Sequence, residues 1–66
     1  MTIILNGASR ELAGPLTVAQ LLTSLQIDGR TVAVELNRLV VRRAAYDGTT
    51  LAEGDEVEIV AFVGGG

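Results

Sequence analysis

Only one stretch of this chain carries a helical period, and it is short. Val18, Leu21, Leu22 and Leu25 fall at i, i+3, i+4 and i+7, which is one face of a helix. Gln20, Thr23, Ser24 and Gln26 fill the other side. The start is fully punctuated: Thr17 as N-cap with Gln20 three residues on makes a capping box, and Leu16 and Leu21 are spaced as a hydrophobic staple. Asp28-Gly29 is expected to stop the helix, with Gly29 as a left-handed cap. One helix with a one-sided apolar stripe covers one face of one sheet. The remaining residues must therefore supply a single sheet whose second face is open.

The flanking segments read as strands. Thr2 to Leu5 is β-branched and apolar, and Asn6-Gly7 after it is a hairpin turn, since both residues tolerate positive φ. A second strand is expected over Arg10 to Ala13, ended by Gly14-Pro15. After the helix, Thr31 to Leu36 alternates in strand fashion, Asn37-Arg38 is a turn and Leu39-Val40-Val41 is a short strand. Arg42 to Thr50 has no clean period and reads as a loop with one helical turn. Leu51, apolar among polar neighbours, is expected to plug the core. Glu53-Gly54-Asp55 turns the chain into a last strand, Glu56 to Val63.

Strand, strand, helix, strand, short strand, strand is the order of an α+β fold. A β-grasp (ubiquitin-like) arrangement satisfies it: a mixed sheet of four to five strands wrapped on one helix, over residues 1–63. In that layout the last strand is central and lies beside the first, in keeping with its nearly continuous apolar run from Val57 to Val63. Alternation puts Val57, Ile59 and Ala61 on one face, expected to be the core, and Glu56, Glu58, Val60 and Phe62 on the other. Val60 and Phe62 are then apolar residues on a solvent face. Such residues are either tolerated singly, as on most surfaces, or belong to a patch on which a partner docks.

Composition closes most chemical routes. In 66 residues there is no Cys, no His and, the five basic residues all being arginine, no Lys. A thiolate nucleophile, an imidazole base, the usual zinc site and a Schiff-base lysine are all excluded. A net charge of −3 does not suit a phosphate backbone, and no apolar run approaches a membrane span, so neither nucleic acid nor membrane is an expected partner. Met1 to Leu5 lacks a charged leader region, and a cytoplasmic location is the expectation.

The last residues, Gly64, Gly65 and Gly66, are the remaining chemical resource. They are expected to form a flexible tail, rooted in a central strand and reaching at most about 14 Å with Val63. Glycine threads a narrow channel because it has no Cβ. A free carboxylate at Gly66 is a poor electrophile until it acquires a leaving group, and this chain has no nucleotide loop to provide one. The chain is thus expected to be the substrate of an activating enzyme rather than an enzyme itself.

Several segments together resemble the ThiS family of ubiquitin-like sulfur carriers in thiamine (thiazole) biosynthesis. They are Val32-Ala33-Val34-Glu35-Leu36-Asn37, Val40-Val41-Arg42, Leu51-Ala52-Glu53-Gly54-Asp55-Glu56-Val57-Glu58-Ile59-Val60 and Val63-Gly64-Gly65-Gly66. The family often has proline after the valine pair, where Arg42 stands here; that concerns a loop start and not the tail. The resemblance implies that Gly66 is adenylated by an E1-like adenylyltransferase using ATP and Mg²⁺, with no cofactor bound by the carrier. It further implies that sulfur from a donor such as a cysteine desulfurase replaces AMP, and that the Gly66 thiocarboxylate serves thiazole synthase. Gly64, Gly65 and Gly66 would enter the partner's active site, with Val60, Phe62, Glu56 and Glu58 as the docking surface.

The small subunit of molybdopterin synthase is the nearest alternative; it is usually longer and often carries proline before its glycines, where Phe62-Val63 stands here. A protein modifier joined through Gly66, or a β-grasp binding module with an inert tail, are the readings from other classes.

Overall fold

The computed structural model describes residues 1–62. In chain order these form β1 (Thr2–Leu5), β2 (Ala8–Glu11), α1 (Val18–Ser24), a 3₁₀ turn at Gly29–Thr31, β3 (Val32–Leu36), β4 (Leu39–Val41), a longer 3₁₀ segment at Arg43–Gly48 and β5 (Glu56–Ala61). The five strands make one mixed sheet in the order β2-β1-β5-β3-β4. β5 is central, parallel to β1 and antiparallel to β3. This is the expected β-grasp layout.

Two tight turns set the register of both hairpins. Asn6 and Gly7 have φ of 49° and 83°, and Asn37 and Arg38 have 51° and 71°. Positive φ at both central residues matches the right-handed twist of the flanking strands. A two-residue turn also dictates where the next strand begins. Leu5 pairs with Ala8, so β2 runs over Ala8–Glu11 and not over Arg10 to Ala13.

The capping box forms as expected. The Gln20 amide donates to the Thr17 hydroxyl at 3.1 Å, and the Thr17 amide donates to the Gln20 side-chain oxygen at 2.9 Å. The helix ends earlier than Gly29. Ile27 donates to the Leu22 carbonyl at 2.9 Å and Gln26 to that of Thr23 at 3.0 Å, which is a Schellman closure. Its left-handed residue is Gln26, with φ 59°. Gly29 has a different reason to be glycine: a Cβ there would lie 3.3 Å from the Tyr46 ring and 3.4 Å from Leu22. The 3₁₀ segment carries Tyr46 down onto that spot, where it is buried.

The core lies between α1 and one face of the sheet. Val18, Leu21 and Leu22 of the helix pack with Ile3, Val32, Val34 and Val57 of the strands, and Leu51 plugs the end as expected. Seven residues of helix span about 10 Å, whereas the six residues of β5 span about 20 Å. On the helix side of β5, burial falls from buried Val57 through half-buried Ile59 to exposed Ala61. No helix among the described residues is long and apolar enough to cross a membrane.

Candidate functional site

β5 is held by its neighbours' turns. Asn6 lies just past the end of β1, and its side chain takes over where the β1 backbone stops. Its nitrogen donates to the Ile59 carbonyl at 3.2 Å and its oxygen accepts from the Ile59 amide at 2.7 Å. A carboxamide in this position reproduces one peptide group of a strand. On the other side, the Asn37 side-chain oxygen accepts from the Glu56 amide at 2.9 Å, and the Asn37 amide donates to the Glu56 carbonyl at 2.7 Å. Asp55 accepts from the Asn37 side chain at 3.1 Å and from the Ala52 amide at 2.7 Å. Gly54, at φ 81°, makes the turn between them possible.

The far end of β5 is bare. Val60 is 54% exposed and Phe62 62% exposed, on the sheet face away from the helix. Glu56 and Glu58 are exposed on that same face. The four proposed docking residues therefore share one surface. The acidic pair lies toward the start of the strand and the apolar pair toward its end. On the helix side, Val57 is buried, but Ile59 is only half-buried and Ala61 is exposed. The expectation that all three anchor the core holds fully for Val57 and in part for Ile59, which packs against the core cluster, but not for Ala61, which is exposed. Ile59 and Ala61 line a cleft of about 530 Å³ with Leu5, Leu25 and Ile27.

The last described residue is clamped to the sheet: the Phe62 amide donates to the Thr31 carbonyl at 2.9 Å. Thr31 is itself secured, its amide and hydroxyl donating to the Asp28 carbonyl at 3.0 and 2.7 Å. The Arg30 side chain, and then its backbone amide, hold the Asp28 carboxyl down to about 2 by hydrogen bonding to the charged form. Val63 and the proposed tail residues Gly64, Gly65 and Gly66 lie outside the described residues. No group of three or more acidic, histidine or cysteine residues is placed to hold a metal among the described residues.

Residues 3–66 match the family model described as the ThiS family. The chain belongs to the ThiS family. It is 42% identical over 66 residues to a thiazole synthase of Paramagnetospirillum magneticum, covering all of this chain and 20% of that protein. It is 40% identical over 50 residues to the sulfur carrier protein ThiS of Bacillus subtilis, 76% of each chain. The crystal structure of the thiamine biosynthesis protein ThiS from Geobacter metallireducens superposes with a TM-score of 0.88 at 40% identity, over the full length of both chains. The chain spans about a fifth of the length of the thiazole synthase relatives it matches.

Within this ThiS fold, two features of the site are absent from the sequence reading. One is the pair of asparagines, which sequence shows as turn residues and structure shows as ties to β5. Their bonds cross 53 and 19 residues, beyond any local pattern. The other is the edge position of β4, a strand expected from sequence, which leaves Leu39 and Val40 73% and 74% exposed. Its signal was present as arginine at either end of the short apolar run, the charged flank by which edge strands are protected.

Proposed function

We propose that this chain is the sulfur carrier of thiamine biosynthesis and that its working group is the carboxylate of Gly66. Membership of the ThiS family supports the reading, and one structural observation carries it. The Phe62 amide is fastened to Thr31, so the last described residue, directly before Val63-Gly64-Gly65-Gly66 in the sequence, is held to the sheet. At that end of β5 lies an exposed apolar pair, Val60 and Phe62, on which a partner can seat itself.

The chemistry follows from the carboxylate. Its oxygen attacks the α-phosphorus of ATP on an E1-like enzyme, which supplies Mg²⁺, and pyrophosphate leaves. A persulfide sulfur, from a donor of the cysteine desulfurase kind, attacks the acyl carbon and expels AMP. A second thiol then opens the S–S bond, leaving as a disulfide, and the thiocarboxylate remains on Gly66. The acceptor in this reading is thiazole synthase. That assignment is supported by relatives of that name in which a segment resembling this chain occupies about a fifth of the length.

Intact-mass measurement tests the proposal. After incubation with ATP, a cognate activating enzyme and a sulfur donor, the chain should gain the difference between one sulfur and one oxygen. Fragmentation should place that gain on Gly66. No gain with an active enzyme present would defeat the reading. So would a mature protein in which Gly66 is followed by further residues.

A further inference from the structure

The edge strand β4 has a chemistry that the tail reading does not use. We propose that β4 is a second docking element for the activating enzyme: it accepts, as an added strand, an extended segment with an apolar centre and carboxylates at its flanks. The proposal rests on the sulfur-carrier reading, since the partner is the enzyme that takes the tail.

The ladder shows which backbone groups are open. Phe62 donates to Thr31 and Asn37 to Glu56, so on β3 the peptide groups of Thr31, Ala33 and Glu35 face β5 while those of Val32, Val34 and Leu36 face β4. On β4 the partners of Leu36 and Val34 are Leu39 and Val41. Val40 lies between them, and alternation turns its amide and carbonyl away from the sheet. One donor and one acceptor are thus available to a new strand, next to a side chain that is 74% exposed.

Charge selects the occupant. The run Arg38-Leu39-Val40-Val41-Arg42-Arg43 holds three of the five arginines of a chain whose net charge is −3. Among the described residues none of the three is within ion-pair distance of a carboxylate. A second copy pairing antiparallel through Val40 would set Arg38 against Arg42 of its partner, a like-charge contact that opposes self-association. A segment with carboxylates at those positions turns the same contacts favourable. Continuity points to the activating enzyme as its source. A groove of about 240 Å³, lined by Arg30, Ala33, Val40, Arg42, Arg43 and Phe62, runs from β4 to the root of the tail. A protein seated on Phe62 to receive the glycines meets the β4 arginines on its flank.

The test is the kinetics of adenylation of the full chain by its cognate enzyme. Two variants probe different parts of the contact. The double change Arg42→Glu with Arg43→Glu reverses the flank on exposed side chains, and Val40→Pro removes the outward amide without removing a ladder bond. Circular dichroism confirms folding, and the charge variant decides alone if the proline variant does not fold. Each should raise KM by about tenfold and leave kcat within about twofold. Added salt should raise KM for the unaltered chain more than for the charge variant. A KM unchanged in the charge variant, with thiocarboxylate still forming, overturns the β4 assignment and leaves sulfur carriage standing. Failure of the unaltered chain to be adenylated removes the sulfur-carrier reading and this proposal with it. A dimer in sedimentation that Val40→Pro dissociates would give the edge to a second copy and also overturn it.

Discussion

The two ends of β5 are built on opposite principles. At its start the strand is tied from both sides: Asn37 exchanges two bonds with the backbone of Glu56, Asn6 donates to Val57, and the Val57 side chain is 1% exposed. At its finish the side chains of Val60 and Phe62 stand in solvent, Ala61 is uncovered on the helix side, and the Phe62–Thr31 bond makes the closing tie. One strand thus divides into a half that stabilises the domain and a half that leaves a surface open. In a chain too small to bury more than roughly 60% of its unfolded surface, apolar side chains left at the finish are withheld from a limited core. The proposed docking of a partner requires just such an exposed pair.

The division is most easily broken at Asn6. Asn6→Ala removes both bonds to Ile59 and puts a Cβ residue with no local hydrogen bond at φ 49°. A loss of about 3 kcal/mol is expected, about 2 from the bonds and about 1 from the backbone. Asn6→Gly retains the φ and should recover the smaller part. Denaturant titration reads both. Full recovery of stability in Asn6→Gly would mean that the turn conformation, and not the tie to β5, is what Asn6 supplies.

Side chains on the two halves should respond differently. Val57→Ala empties a filled core position and should cost about 2–3 kcal/mol, leaving the KM of activation near its original value. Val60→Ser should shift stability by less than about 0.5 kcal/mol and raise that KM. A large drop in melting temperature for Val60→Ser would make it a core residue and erase the contrast.

Much of this was legible beforehand, for identifiable reasons. The capping box at Thr17, the two asparagine-led turns, the inward and outward sides of β5 and the plugging role of Leu51 depend on residues within a few positions of one another. Side-chain periodicity or turn chemistry displays them directly. What escaped depends on lengths and distant partners. Ile59 and Ala61 point to the helix side as expected, but burial falls from Val57 to Ala61, which alternation does not display. The closure of α1 uses Gln26, a residue with no preference for positive φ, so Gly29 looked like the natural cap. Gly29 instead sits under the Tyr46 ring, where a Cβ would come within 3.3 Å of it, across the second 3₁₀ segment. The asparagine ties and the arginine-flanked edge likewise emerge only when the strands are in order.

The helix closure offers a smaller test, confined to the cleft beneath the finish of β5. Gln26→Gly relieves a left-handed non-glycine residue and should stabilise the domain by about 0.5–1 kcal/mol. Because Gln26 lines the cleft with Ile59 and Ala61, amide exchange should slow in that region more than at Glu56 and Val57. Destabilisation would show that the Gln26 side chain makes contacts worth more than the strain.

The smallest expected effect concerns the support behind the clamp. Asp28 is charged and hydrogen-bonded by Arg30 in the fold, with its pKa lowered from 3.8 to about 2. A depressed folded pKa gives stability that is complete above the unfolded value and is lost as pH falls through the folded one. Between pH 4 and 2 the 3₁₀ turn at Gly29–Thr31 should therefore weaken. Because the Asp28 carbonyl fastens Thr31 and the Thr31 carbonyl fastens Phe62, the loosening should be felt at the finish of β5 before its start. In an NMR titration the Phe62 amide should move with a midpoint near 2, and Asp28→Asn should abolish that movement. The Glu56 amide, held by Asn37, whose side chain does not titrate, should not share the Asp28 midpoint. A common midpoint for both amides would mean that β5 responds as one rigid strand, with no functional boundary between its tied and its bare half.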